Sequence, residues 1–250
     1  MNIIQVKDYQ EMSEKAADLL ISKIKSKQSF NLGLATGGTP KGLYEILIED
    51  HKKNGTSYKH ITTFNLDEYV GLNKLDPNSY HYYMNDTLFH HLDIDVDHTH
   101  LPIGSAKNLE LECQRYEQLI DEKGGVDLQI LGIGRNGHIG FNEPGTSFQS
   151  LTHVVTLDES TRKANARYFS SIEEVPTHAI TMGIASIMKS KEIFLLVSGE
   201  EKADAVHKLF NSEESEDFPA SILKQHPCVT IIVDQKALSG AHIKNISTIR

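Results

Sequence analysis

Residues 32–47, "LGLATGGTPKGLYEIL", run from an apolar stretch through Gly37-Gly38 and Thr39-Pro40 into a helical pattern. The stretch reads as a buried strand, a tight turn and a helix, with Thr39 as the expected N-cap and Pro40 at the first helical position. The same rhythm recurs along the chain. Strands are expected at "NIIQV", "FNLGLA", "HITTFN", "VDLQILGIG", "THVVTL", "HAITM", "EIFLLVS" and "CVTIIVD". Several of these lack polar alternation, as in parallel sheets covered on both faces. Between them lie amphipathic segments: Met12, Ala16, Leu19, Leu20 and Ile24 share one helical face, and Leu109, Cys113, Tyr116 and Ile120 share another. The expected fold is α/β, a three-layer, Rossmann-like, doubly wound and mostly parallel sheet with helices on both faces. No Pro/Gly/Ser-rich linker, repeat or heptad run divides it, so residues 1–250 are expected to form one domain.

Composition narrows the function. The 250 residues carry 25 Lys plus Arg against 34 Asp plus Glu, a formal charge of −9, with 39% hydrophobic and 24% charged residues. That balance suits a globular chain and argues against a general nucleic-acid binder. No apolar run approaches the roughly twenty residues that span a bilayer, and the N-terminus turns polar before a signal-peptide core could form. Cys113 and Cys228 are the only cysteines, and they fit a reducing compartment; Cys113 sits on an apolar stripe, where a core role outweighs a nucleophilic one. The expectation is a cytoplasmic protein with no membrane and no nucleic-acid partner. The acidic cluster at 211–219, "NSEESEDFP", reads as a solvated loop.

In open parallel sheets ligands bind beyond the carboxyl ends of the strands, so the loops after strands carry the chemistry. After "LGLA", Gly37, Gly38 and Thr39 open a helix N-terminus that suits an anion, or form a plain tight turn. In "ITTFNLDEYVG", Asp67 and Glu68 are adjacent on extended chain and point to opposite sides, so one can act as a base while the other is structural. The stretch 126–148, "VDLQILGIGRNGHIGFNEPGTSF", contains G-x-G-x-x-G at Gly132, Gly134 and Gly137. A dinucleotide site is rejected there, because "HIGFNEPG" follows instead of a crossover helix. That loop gathers Asn136, His138 and Glu143, a group able to move protons near neutral pH. The spacing is not a metal-ligand set, and no metal is expected. His90, His91, His98 and His100 read as surface residues. After "EIFLLVSG", Lys202 stands at a helix start, where the dipole disfavours a cation unless it meets an anion, and Arg167 offers a second positive charge. Together these loops suit proton-transfer chemistry on a small phosphorylated metabolite.

"ATGGTP" (35–40), "FNLDEYVG" (64–71) and "GIGRNGHIGFNEP" (132–144), in that order, resemble the signatures of the glucosamine-6-phosphate deaminase family. The resemblance spans nearly the whole chain. It implies conversion of glucosamine 6-phosphate to fructose 6-phosphate and ammonia, a hydrolase by net reaction with an isomerase-type mechanism, and no organic cofactor. It implies that Asp67 moves the C2 proton to C1, that His138 supported by Glu143 opens the ring, and that Gly38, Thr39, Arg167 and Lys202 meet the phosphate. Asn136 departs from the Asp of allosteric members, which leaves it a hydrogen-bonding role only. His153 and Val155 stand where N-acetylglucosamine-6-phosphate-activated hexamers have basic residues, so an unregulated monomer or low-order homo-oligomer is expected. A 6-phosphogluconolactonase shares the related fold, and a non-catalytic sugar-phosphate sensor is the other alternative.

Overall fold

The computed structural model describes residues 1–166 and 169–239. Ten strands are present among them: β1 (Asn2–Val6), β2 (Phe30–Leu34), β3 (Ile61–Asn65), β4 (Asp67–Tyr69), β5 (Thr99–His100), β6 (Leu128–Leu131), β7 (His153–Thr156), β8 (His178–Thr181), β9 (Ile193–Val197) and β10 (Val229–Asp234). The helices are α1 (Tyr9–Ser26), α2 (Lys41–Asn54), α3 (Tyr80–Thr87), α4 (Leu109–Glu122), α5 (Glu159–Asn165), α6 (Ile184–Met188) and α7 (Ala203–Asn211).

Seven strands form one sheet in the order β1-β10-β9-β6-β2-β3-β5, and all its pairings are parallel. The apolar runs dictate this, since β9 and β10 are buried at every position and both faces must be covered. On one face Leu32, Leu34, Ile130, Leu196 and Ile232 pack against Met12 and Leu20 of α1 and Leu43, Tyr44 and Leu47 of α2. On the other, Phe64, Leu131, Leu195 and Ile231 meet Tyr116 and Ile120 of α4 and Leu209 of α7. The three-layer, doubly wound fold follows. Each large side chain fully buried in this way contributes roughly 1.5–3 kcal/mol. Asp8 starts α1 by accepting from Glu11 N at 3.0 Å, and the α1 face named from spacing is the buried one, with Leu19 only partly covered.

The sheet winds outward from its middle: β2, β3 and β5 run to one edge, and β6, β9 and β10 to the other. The switch between β2 and β6 opens a crevice at their carboxyl ends, where parallel sheets hold ligands.

Three expectations are corrected here. "THVVTL" and "HAITM" are strands but lie outside the parallel sheet; β7 and β8 pair antiparallel with each other, and β8 pairs with β4, in a second three-stranded sheet. Propensity marks a strand without fixing its partner. Asp67 and Glu68 therefore stand on β4 rather than a loop. The N-cap of α2 is Pro40, not Thr39, and it caps without a side-chain bond; the Tyr9 hydroxyl accepts from Gly42 N at 2.8 Å instead.

Candidate active site

A cavity of about 620 Å³ lies at the switch point. Its walls are the turn after β2 (Thr36, Gly37, Gly38, Thr39), Asp67 on β4, the loop after β6 (Gly132–His138) and Lys202 after β9, closed by Tyr80 and Phe141. Seven residues singled out from sequence, Gly37, Gly38, Thr39, Asp67, Asn136, His138 and Lys202, line it together. Glu143 stands behind His138, and Arg167 lies outside the described residues.

The alternation of β4 separates its two carboxylates. Asp67 faces the cavity, and no hydrogen-bond donor among the described residues reaches its side chain. Burial pushes its carboxyl up to about 8, and the neighbouring Glu68 charge adds to the rise. Glu68 turns the other way, fully buried, and accepts from Tyr80 N at 2.9 Å, His81 N at 3.0 Å and His81 Nδ1 at 2.9 Å. It caps the start of α3 beside Ser79, whose hydroxyl accepts from Tyr82 N. The two carboxylates point to opposite sides, as extended geometry predicts.

No helix follows β6 before residue 159. The loop instead folds so that Gly134 N donates to His138 O at 2.9 Å and the imidazole lies over Gly134. A Cβ at Gly134 would sit 2.2 Å from His138 Nδ1, so only glycine admits this approach. Asn136 bridges its two partners: its Nδ2 donates to Glu143 Oε2 at 2.6 Å, and its Oδ1 lies 2.8 Å from His138 Nδ1. A carboxylate only accepts, so the Asn136 oxygen must face the ring, and His138 Nδ1 must carry the proton. The free lone pair is then on Nε2. Glu143 Oε2 is 3.6 Å from Nδ1, and Thr161 Oγ1 donates to Glu143 Oε1 at 2.6 Å. Burial alone would raise the Glu143 carboxyl, but His138, Thr161 and Asn136 around it hold it down at about 2.

Lys202 lies in a single 3-10 turn (Glu200–Lys202) before α7 and donates to Ile133 O at 2.8 Å. Burial holds its ammonium below the ordinary value; Glu201 opposes this and Arg135 adds to it. Arg135 also lines the cavity, exposed and without an ion pair among the described residues. Sequence reading passed over Arg135, although a cation inside the glycine-rich loop was visible. Thr161 and Tyr80 left no such signal, because they reach the site only through folding. Of the other histidines, His90 and His91 are exposed, whereas His98 and His100 are half-buried, with the His100 ring 5.2 Å from that of Phe64. Among the described residues no group of three or more His, Cys, Asp or Glu could hold a metal ion, and no helix is long and apolar enough to cross a membrane.

The family model of glucosamine-6-phosphate isomerases and 6-phosphogluconolactonases matches residues 7–232. The glucosamine-6-phosphate deaminase of Halalkalibacterium halodurans is 59% identical over 245 residues, 98% of this chain and all of the relative. Glucosamine-6-phosphate deaminase 1 of Bacillus subtilis is 56% identical over 239 residues, 96% of this chain and 99% of that one. A solved monomeric glucosamine-6-phosphate deaminase, 56% identical, superposes with a TM-score of 0.94 over 96% of this chain and 99% of its own. The 6-phosphogluconolactonase of Thermotoga maritima, 22% identical with a TM-score of 0.74 over 94% of this chain and 99% of its own, shares the fold.

Proposed function

The chain belongs to the family of glucosamine-6-phosphate isomerases and 6-phosphogluconolactonases, and we propose that it deaminates glucosamine 6-phosphate to fructose 6-phosphate and ammonia. One observation carries the reading. A buried carboxyl near 8 and an imidazole with its Nδ1 occupied face the same cavity, beside a glycine turn that can take a phosphate.

The chemistry runs in three stages. His138 Nε2 takes the proton from the anomeric hydroxyl of the pyranose and returns it to the ring oxygen, which leaves the C1 aldehyde. Asn136 and Glu143 hold the ring and stabilise its charged form. Asp67, ionised, then removes the C2 proton, and the C2–H electron pair forms the C1–C2 double bond of an enolamine while the aldehyde oxygen takes a proton from the substrate's own C2 ammonium. Asp67 gives its proton to C1, and the nitrogen-bearing C2 becomes an imine. Water adds to C2, the carbon–nitrogen bond breaks, and ammonia leaves. The sum is one sugar phosphate and one water in, fructose 6-phosphate and ammonia out: a hydrolysis by balance, reached through an aldose–ketose isomerisation. An acid that must both take and give a proton works best with a pKa near the working pH, which suits a carboxyl at about 8 better than one at 3.8.

The N–H groups of Gly37, Gly38 and Thr39 and the cations of Lys202 and Arg135 meet the phosphate dianion. On sequence grounds we assign Arg167 the same role. A phosphate ester does not cross membranes, so the enzyme works in the cytoplasm, in amino-sugar breakdown. Likeness to a monomeric deaminase supports a monomer.

Purified, chelator-treated protein should release ammonia and fructose 6-phosphate in equal amounts from glucosamine 6-phosphate, unaccelerated by N-acetylglucosamine 6-phosphate. It should leave 6-phosphogluconolactone intact. Lactone hydrolysis without ammonia from the amino sugar would replace this reading with the lactonase one.

A further inference from the structure

Three tyrosines from three different helices hold the backbone carbonyls of the turn after β2. Tyr44 Oη of α2 donates to Ala35 O at 2.6 Å, Tyr83 Oη of α3 to Gly37 O at 2.8 Å, and Tyr9 Oη of α1 to Gly38 O at 2.9 Å. The Tyr9 hydroxyl also accepts from Gly42 N, which ties the turn to the first turn of α2. Every described peptide bond is trans, and in a trans peptide the C=O and the following N–H point in opposite directions. Holding Gly37 O outward therefore turns Gly38 N–H inward, and holding Gly38 O turns Thr39 N–H inward.

Sterics do not fix these planes. Gly37 has φ +88°, and nothing lies within 4 Å of where a Cβ would stand at Gly37 or Gly38. A glycine pair of this kind can flip a peptide plane with little resistance, and a flipped plane would aim a carbonyl at an anion. The N–H groups of Gly37, Gly38 and Thr39 have no acceptor among the described residues, so no bond of their own holds them either.

We propose that Tyr83 and Tyr9 are positioning residues that keep the Gly38 and Thr39 N–H groups turned into the cavity to receive the substrate's phosphate. The proposal rests on reading this turn as the phosphate site. The two hydroxyls act through the backbone and touch no reacting atom, so their loss weakens binding and spares the proton transfers at Asp67 and His138.

The experiment is steady-state kinetics of Tyr83→Phe and Tyr9→Phe on glucosamine 6-phosphate, with inorganic phosphate as competitive inhibitor. Each variant keeps its ring; Tyr83→Phe loses the bond to Gly37 O, and Tyr9→Phe loses those to Gly38 O and Gly42 N. KM and the phosphate Ki should rise together by roughly three- to tenfold, with kcat within about twofold of wild type. A purely structural role would not move Ki and KM in step while sparing kcat. KM and Ki unchanged in both variants, or a fall in kcat at constant KM, would overturn the proposal. If one variant failed to fold the other would decide, since each hydroxyl holds a different peptide. Failure of phosphate to compete in the wild type would remove the phosphate reading itself, and the tyrosine proposal with it.

Discussion

Asn136 shows how one amide sets the protonation of its neighbour. Its nitrogen is committed to Glu143 and its oxygen to His138 Nδ1, so the ring has only one neutral tautomer available. An aspartate at this position would set two carboxylates about as close as the present 2.6 Å contact between Asn136 and Glu143, and such a pair cannot remain doubly ionised without a compensating cation. The imidazole would supply it. In Asn136→Asp the amide donor to Glu143 is lost and two carboxylates face each other, so turnover of glucosamine 6-phosphate should fall by roughly tenfold or more. Ring opening should be the step that slows, because a ring held in its charged form has no lone pair with which to take the anomeric proton. Unchanged turnover in the variant would show that the amide does not control the imidazole.

At the scale of elements, β4 and α3 are joined by one side chain. Glu68 accepts the first N–H groups of α3 and sits beside Asp67, so it fixes both the helix start and the strand that presents Asp67 to the cavity. Glu68→Ala would strand those N–H groups in a buried site and should lower stability by about 2–4 kcal/mol in urea unfolding, against about 1 kcal/mol for Ser79→Ala at the N-cap. Equal losses in the two variants would reduce Glu68 to an ordinary cap. Nothing in "NLDEYVG" announces β4: Asp and Glu are poor strand formers, and its three residues are ordered by pairing with β8, more than a hundred positions later. The eight longer strands were legible because their apolar runs are local. What the runs could not carry was partnership, and so β7 and β8 were assigned to the wrong sheet. The site divides likewise. Asn136, His138, Glu143 and the Gly37–Thr39 turn were readable from loops at strand ends, and Asp67 from the extended chain just after β3, whereas Thr161 and the tyrosines behind the turn come from helices that only the fold brings near.

For the whole molecule, the buried Asp67 carboxyl makes stability depend on pH, and the proposed role of the same group as the base sets activity against it. The unfolded chain releases the Asp67 proton near pH 3.8, and the folded one holds it to about 8. Between those values the native state binds more protons, so this group's contribution to stability falls as pH rises through the window, by at most ~1.4 kcal/mol per pH unit, and levels off above about 8. Glu143 has the opposite sign: held near 2, it contributes above its ordinary value of 4.5 and is lost as the solution is acidified below that. Other groups and the net charge of −9 also respond to pH, so wild type alone cannot isolate the term. Asp67→Asn can, since the amide fills the same space and never ionises. At pH 3, below both values, the two proteins should unfold at similar urea concentrations, because position 67 is then neutral in the folded and the unfolded chain alike. By pH 9 the variant should be more stable by a few kcal/mol, while its turnover falls by two or more orders of magnitude for want of the base. A stability difference that stays flat from pH 5 to 9 would mean that Asp67 ionises in the fold as readily as in water, and its fitness to carry a proton from C2 to C1 would need another source.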